Sequence, residues 1–139
     1  MKETRKEPFW SAGERDGVAI AEAGAGEVTY AELERRIAVN IERLPPLSGK
    51  PLGLLLCANT APAVAIYLAA LRAGHALMLL DAGMHRDLLG GILETYDPDW
   101  IAAPEPHAPD NFAGRYRRGK EIPGEFGLWI RAARERDYP

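Results

Sequence analysis

Cysteine occurs once in the chain, at Cys57, and serine only at Ser11 and Ser48. A lone cysteine excludes a disulfide within the chain, which fits a reducing compartment. Cys57 lies inside the apolar run LGLLLCA at residues 52–58 and reads as a buried thiol acting as a small hydrophobe, not as a nucleophile. Neither serine sits in a nucleophile elbow, so no recognisable serine-hydrolase centre is present. No apolar stretch reaches the about 18 residues a membrane helix needs, and the opening MKETRKE lacks the apolar segment of a secretion signal. The expected location is cytoplasmic, with no membrane partner.

Positive charge is also in short supply. Lys and Arg total 17 against 20 Asp and Glu, a formal charge of −3, so the molecule as a whole gives a polyanion little reason to gather and no nucleic-acid partner is expected. No zinc spacing exists among His75, His85 and His107. His85 with Asp87 offers only two metal ligands, and His107 lies in a proline-rich stretch that reads as solvated. His75 begins a strand after a helix-ending glycine, where a hydrogen-bonded structural histidine is the expectation. No phosphate loop of the GxxxxGK[ST] type is present, and Gly24-Ala25-Gly26 lacks both a third glycine and a strand-to-helix setting. The helix entries at residues 58–61 and 81–84 are the places where an anion could meet free N–H groups, although capping accounts for Asn59 and Thr60. Asp97 and Asp99, flanking Pro98, read as solvated carboxylates at a helix exit. The basic stretch RYRRGK at residues 115–120 reads as a solvated loop. No residue is assigned a catalytic, cofactor-binding or metal-binding role.

What is abundant is apolar surface, 47% of 139 residues, enough for one domain with one real core. Residues 17–23 and 27–30, joined by Gly24-Ala25-Gly26, predict a hairpin. Thr29 with Glu32 forms a capping-box pattern ahead of Leu33, Ile37, Ile41 and Leu44 at helical spacing, and Pro45-Pro46 stops that helix. Residues 52–58 predict a buried strand. Pro62 opens a second helix with Val64, Ile66, Tyr67, Leu68 and Leu71, closed by Gly74. Residues 75–80 give another strand. Leu88, Leu89, Ile92, Leu93 and Tyr96 line a third helix, interrupted by Gly90-Gly91, and residues 100–103 form a further strand. Uninterrupted apolar strands alternating with helices predict an α/β fold: three layers, α/β/α, with a mostly parallel sheet and a small N-terminal hairpin. Residues 104–121 are expected to be a loop, residues 125–130 a short strand, and residues 131–136 a polar turn or helix.

Two blocks carry a family resemblance. Val28, Thr29, Tyr30, Glu32 and Leu33 resemble the early TYxEL helix start of the adenylate-forming superfamily, the acyl-CoA synthetases, luciferases and nonribosomal-peptide adenylation domains. Residues 67–81, YLAALRAGHALMLLD, are similar to its LxALxAGxxxvPld helix and strand, with Leu79 where proline is usual and His75 where a small residue is commoner. The resemblance covers about residues 18–103. It implies a parent AMP-dependent synthetase or ligase that activates a carboxylic acid with ATP and Mg²⁺, with CoA or a carrier protein as the thiol acceptor. The whole chain, residues 1–139, then corresponds to an N-terminal subdomain fragment whose partner is the remainder of that synthetase. The family's Ser/Thr/Gly-rich phosphate loop, its adenine-contacting segments and its C-terminal lysine have no counterpart in this sequence. The fragment is therefore expected to be inactive alone, with Pro139 a boundary just ahead of that loop. The alternative reading is a standalone α/β protein-interaction module using the Tyr67 helix or residues 115–120; a small nucleotide-binding regulator is a third.

Overall fold

In the computed structural model the described residues are 17–24, 26–104, 115–124 and 126–131. The chain opens with an antiparallel hairpin, β1 (Val18–Glu22) and β2 (Gly26–Thr29), and enters α1 (Tyr30–Arg43) directly. β3 (Leu52–Cys57), α2 (Ala61–Arg72), β4 (Ala76–Asp81), α3 (Arg86–Tyr96) and β5 (Trp100–Pro104) follow in strict alternation, and β6 (Tyr116–Arg118) and β7 (Phe126–Arg131) complete the described chain. The sheet order is β4-β3-β5-β7-β6, with β4, β3 and β5 parallel and β7 and β6 added antiparallel. The expected layered α/β architecture, its parallel core and its hairpin are all present.

Strand alternation divides the core. Leu55, Trp100, Ala102 and Leu128 point to the face covered by α1 and α2, and Leu54, Leu56, Ile101, Ala103 and Trp129 to the face covered by α3. Burial on both faces explains why these strands read as unbroken apolar runs. Because β4 and β5 lie on opposite sides of β3, the chain reverses its direction across the sheet, and α2 and α3 come to lie on opposite faces.

The helix faces differ from expectation at identifiable positions. In α1 the buried line runs Leu33, Ile37, Asn40 and Leu44, while Ile41 is 37% exposed. Steps of 3.6 residues from Leu33 land on Asn40, so periodicity overrides hydrophobicity there. In α2 the buried face is made of Ile66, Leu68 and five alanines, and Val64 lies at the rim. Small side chains let the helix axis approach the sheet and α1, and the Arg72–Glu34 ion pair, at 2.5 and 2.6 Å, closes the same interface from the edge. In α3 only Leu89 and Leu93 are buried, with Leu88 and Tyr96 59% and 56% exposed. A Cβ at Gly91 would meet nothing within 4 Å, so tight packing does not account for a glycine there.

Helix ends follow their local chemistry. Thr29 Oγ1 accepts the Glu32 amide at 3.2 Å, one half of the capping box; the Glu32 carboxylate pairs with Arg35 and Arg36 instead of turning back. At the end of α2, Gly74 at φ +80° donates to Leu71 O, and His75 donates to Ala70 O, which is a Schellman motif. His85 caps α3 by accepting the Asp87 amide on Nδ1.

Within the segment expected to be a loop, residues 116–118 are a strand. Tyr116 is buried, its hydroxyl donates to Pro98 O at 2.8 Å, and Arg118 lies over the Trp129 ring, 4.7 Å from its centroid. The strand expected at 125–130 is β7. The readings of residues 105–114 and 132–136 as loop and polar turn lie outside the described residues, as do Ser11 and His107.

Trp100 fixes the spacing of β3 and β5. It is fully buried opposite Gly53, and a Cβ at Gly53 would fall 2.1 Å from its indole ring. Gly53→Ala is expected to lower stability by about 1–3 kcal/mol through overpacking, whereas Gly91→Ala is expected to raise it by about 0.5–1 kcal/mol. Urea midpoints of the two variants check the pair, and equal shifts would contradict the assignment.

Candidate functional site

Ligands of open α/β sheets bind beyond the carboxyl ends of the strands, where neighbouring crossovers leave in opposite directions. This chain has a cleft of about 840 Å³ at that place. Its walls come from the end of β3 and the entry to α2 (Cys57, Asn59, Thr60), from the turn after β4 (Asp81, Gly83) and from the end of β5 (Pro104). Both helix entries singled out in the sequence therefore line one cavity.

The cleft is acidic. Glu22, at the end of β1, reaches across so that its Oε1 accepts the Ala61 amide at 2.8 Å. Thr60 occupies the N-cap position of α2 without making a side-chain cap, and its buried Oγ1 has no hydrogen-bond partner. The expectation that Asn59 or Thr60 supplies the cap is thus corrected: the acceptor is a carboxylate from the hairpin, 39 positions earlier in sequence. An anion at this end of the helix is favoured by the unpaired N–H groups and the dipole. Asp81 accepts the Gly83 amide on Oδ1 at 2.8 Å, tightening the turn before α3. Among the described lining residues there is no lysine or arginine.

Cys57 is half-buried on this cleft, not enclosed as its apolar run suggested. Partial burial raises its thiol pKa, the nearby Asp81 carboxylate raises it further, and a backbone hydrogen bond with Leu80 works the other way. A thiol held protonated in this way is a poor nucleophile.

The other sequence candidates are structural. Asp97 and Asp99 are not merely solvated: Asp97 Oδ2 pairs with Arg131 Nη1 at 2.6 Å, and Asp99 Oδ1 lies 3.5 Å from Arg131 Nη2. Asp99 Oδ2 also accepts the Leu52 amide at 2.9 Å. The two carboxylates tie the starts of β3 and β5 to the end of β7. His85 and Asp87 are highly exposed, and no group of three or more metal-ligating side chains occurs among the described residues. Arg117, Arg118 and Lys120 lie at the sheet edge, away from the cleft.

No protein-family model matches the sequence, and no curated protein sequence matches it. Solved structures do match. The chain superposes on IdnL1 with a TM-score of 0.67 at 17% identity, covering 87% of this chain and 25% of that one. Apo MatB from Rhodopseudomonas palustris matches with a TM-score of 0.51 at 24% identity, over 61% of this chain and 17% of that one. ATP-bound MatB gives 0.53 at 23% identity, over 66% and 18%. The chain thus spans only 17% to 25% of the length of these proteins. What is shared is the fold of a segment of these proteins.

His75 is buried, and its Nδ1 accepts the Trp100 indole N–H at 2.8 Å, the structural role expected of it. Accepting there requires the neutral ring. Burial depresses its pKa below 6.5, and Asp99 opposes this only in part. As pH falls through 6.5 the unfolded chain therefore takes up this proton before the folded one, so stability is full above that value and declines toward the depressed folded pKa. His75→Asn keeps an acceptor near the Nδ1 position and removes the titration. Urea midpoints from pH 8 to pH 5 are expected to fall more steeply for the parent than for His75→Asn; parallel slopes would contradict the assignment.

Proposed function

We propose that the chain is the N-terminal scaffold of an ATP-dependent carboxylic acid ligase of the adenylate-forming superfamily, inactive by itself. The observation that carries this reading is the superposition on IdnL1 over 87% of the chain. In the fold the first block becomes β2 and the start of α1, and the second becomes α2 and β4. They meet through the α1–α2 interface, which the Arg72–Glu34 pair closes.

Acyl-adenylate formation needs phosphate charge held by oriented N–H groups, a lysine or Mg²⁺ while the carboxylate approaches in line. The strand-end cleft does not fit a triphosphate. Glu22 occupies the N-terminus of α2, Asp81 stands on the facing wall, and the described walls carry no cation. ATP, Mg²⁺, the acid and CoA or a carrier thiol belong, in this reading, to sites completed by the rest of the parent protein. The part supplied by this chain is a rigid parallel-strand support and one wall of a crevice.

The test pairs the chain with whatever its gene encodes after Pro139 and measures ATP–pyrophosphate exchange across a panel of carboxylic acids. Exchange is expected only when both parts are present and an acid is supplied. Exchange by the chain alone would overturn the scaffold reading, and no exchange by the pair with any acid would overturn the ligase reading.

A further inference from the structure

The two edges of the five-stranded sheet are built differently. β6, at one edge, has three residues, and Arg117 and Arg118 are exposed along it. Short length and charge are what keep an edge from pairing with another chain. β4, at the other edge, has six residues, ALMLLD, with no proline, glycine or lysine among them. None of the six is buried, whereas Leu54, Leu55 and Leu56 of β3 beside it and Trp100 to Ala103 of β5 all are. Leu79, in mid-strand, is 51% exposed. An apolar run of this kind is that of an interior strand, placed where no described strand covers its second side.

Backbone direction shows what that side offers. Ala76 N donates to Pro51 O at 2.8 Å and Ala82 N to Cys57 O at 3.0 Å, at the two ends of a continuous parallel register with β3. Even-numbered residues of β4 therefore bond inward, and the N–H and C=O groups of Leu77 and Leu79 point outward. The flanking groups are already in use, since His75 N donates to Ala70 O and Asp81 O accepts the Met84 amide. The outward run is thus centred on Met78.

An antiparallel strand satisfies such a run by exchanging paired bonds with Leu77 and Leu79. A second β4, related by a two-fold axis through Met78, is such a strand. Leu77 then faces the partner's Leu79, Met78 the partner's Met78 and Ala76 the partner's Leu80, so every opposed pair is apolar. The axis stands perpendicular to the sheet and keeps each side chain on its own face, Leu77 with α1 and α2, Met78 and Leu80 with α3. The two Asp81 carboxylates fall about 20 Å apart along the strands, so no like charges are opposed. An axis through Leu79 would instead set Leu77 against Asp81 and call on the carbonyl that Met84 already uses. Pairing β4 with β6 would set Arg117 and Arg118 against its leucines, so association closes at two copies.

We propose that two copies of this chain join edge to edge through β4 into one continuous sheet, with Met78 on the two-fold axis. This pairing is independent of the ligase reading. A contact confined to one strand edge buries less than the about 1,200 Å² of a standing complex, so the dimer is expected to depend on concentration.

The test is sedimentation velocity of the full chain from about 5 to about 500 µM. Monomer is expected to give way to dimer across that range and to stop there. Leu79→Pro removes an outward N–H that β3 does not use, a change an edge strand tolerates, and is expected to weaken association at least about tenfold. Circular dichroism confirms that the variant is folded; if it is not, Leu79→Lys gives the same direction. Cys57→Ser/Met78→Cys is expected to crosslink on oxidation, because opposed residues outside the hydrogen-bonded pairs stand about 4.5 Å apart at Cα. Cys57→Ser/Leu80→Cys, displaced from the axis, is expected not to. A chain still monomeric at about 500 µM would overturn the proposal. So would undiminished association of the folded edge variant, or crosslinking through position 80 as fast as through position 78.

Discussion

A carboxylate of the chain's own occupies the position where an α/β fold ordinarily receives an anion. Glu22 Oε1 accepts the first amide of α2, 2.8 Å away, at the carboxyl end of the central strand. That contact ties the hairpin to the entry of α2, replaces the cap that Thr60 does not make, and places a carboxylate in the cleft. With Asp81 on the facing wall, the crevice repels phosphate unless cations are brought from outside the described residues. The likeness of the fold to ATP-bound MatB and the lack of a phosphate-handling site among the described residues are therefore compatible.

The opposite end of the sheet is held differently. Trp100 is flat against Gly53 on the neighbouring strand and donates to His75 at the corner between α2 and β4. Arg131 joins the end of β7 to Asp97 and Asp99 beside it. A buried aromatic with a satisfied N–H and a carboxylate–guanidinium cluster thus secure the amino-terminal ends of the strands. Substitutions there act on stability and its pH dependence, whereas the carboxyl ends carry the open cleft.

Much of this was legible in the sequence. Residues 52–58, 75–80 and 100–103 read as strands because they are apolar without alternation, and they form β3, β4 and β5; Gly74 marked the end of α2 because a left-handed residue is needed there. The hairpin followed from glycines at its turn. Legibility failed where a partner was remote or a side chain ambiguous. Nothing in the vicinity of Glu22 indicates a helix it will cap, and Arg131 gives no sign that two aspartates more than thirty positions earlier will meet it. Asn40 is polar yet takes the buried place that Ile41 promised, because the helical period decides which residue faces α2 and the sheet. Residues 116–118 look like a solvated basic loop, and only the burial of Tyr116 against Pro98 turns them into a strand. The acidity of the cleft was equally hidden, since its described carboxylates, Glu22 and Asp81, come from the ends of two strands far apart in sequence.

The central claim, that the anion position at α2 is already filled from within, is tested most directly by following the Ala61 backbone amide in a ¹⁵N–¹H NMR titration with MgATP. That resonance, and those of Asn59, Thr60 and Gly83, are expected to stay in place through millimolar nucleotide. Saturable shifts centred on Ala61 would contradict it.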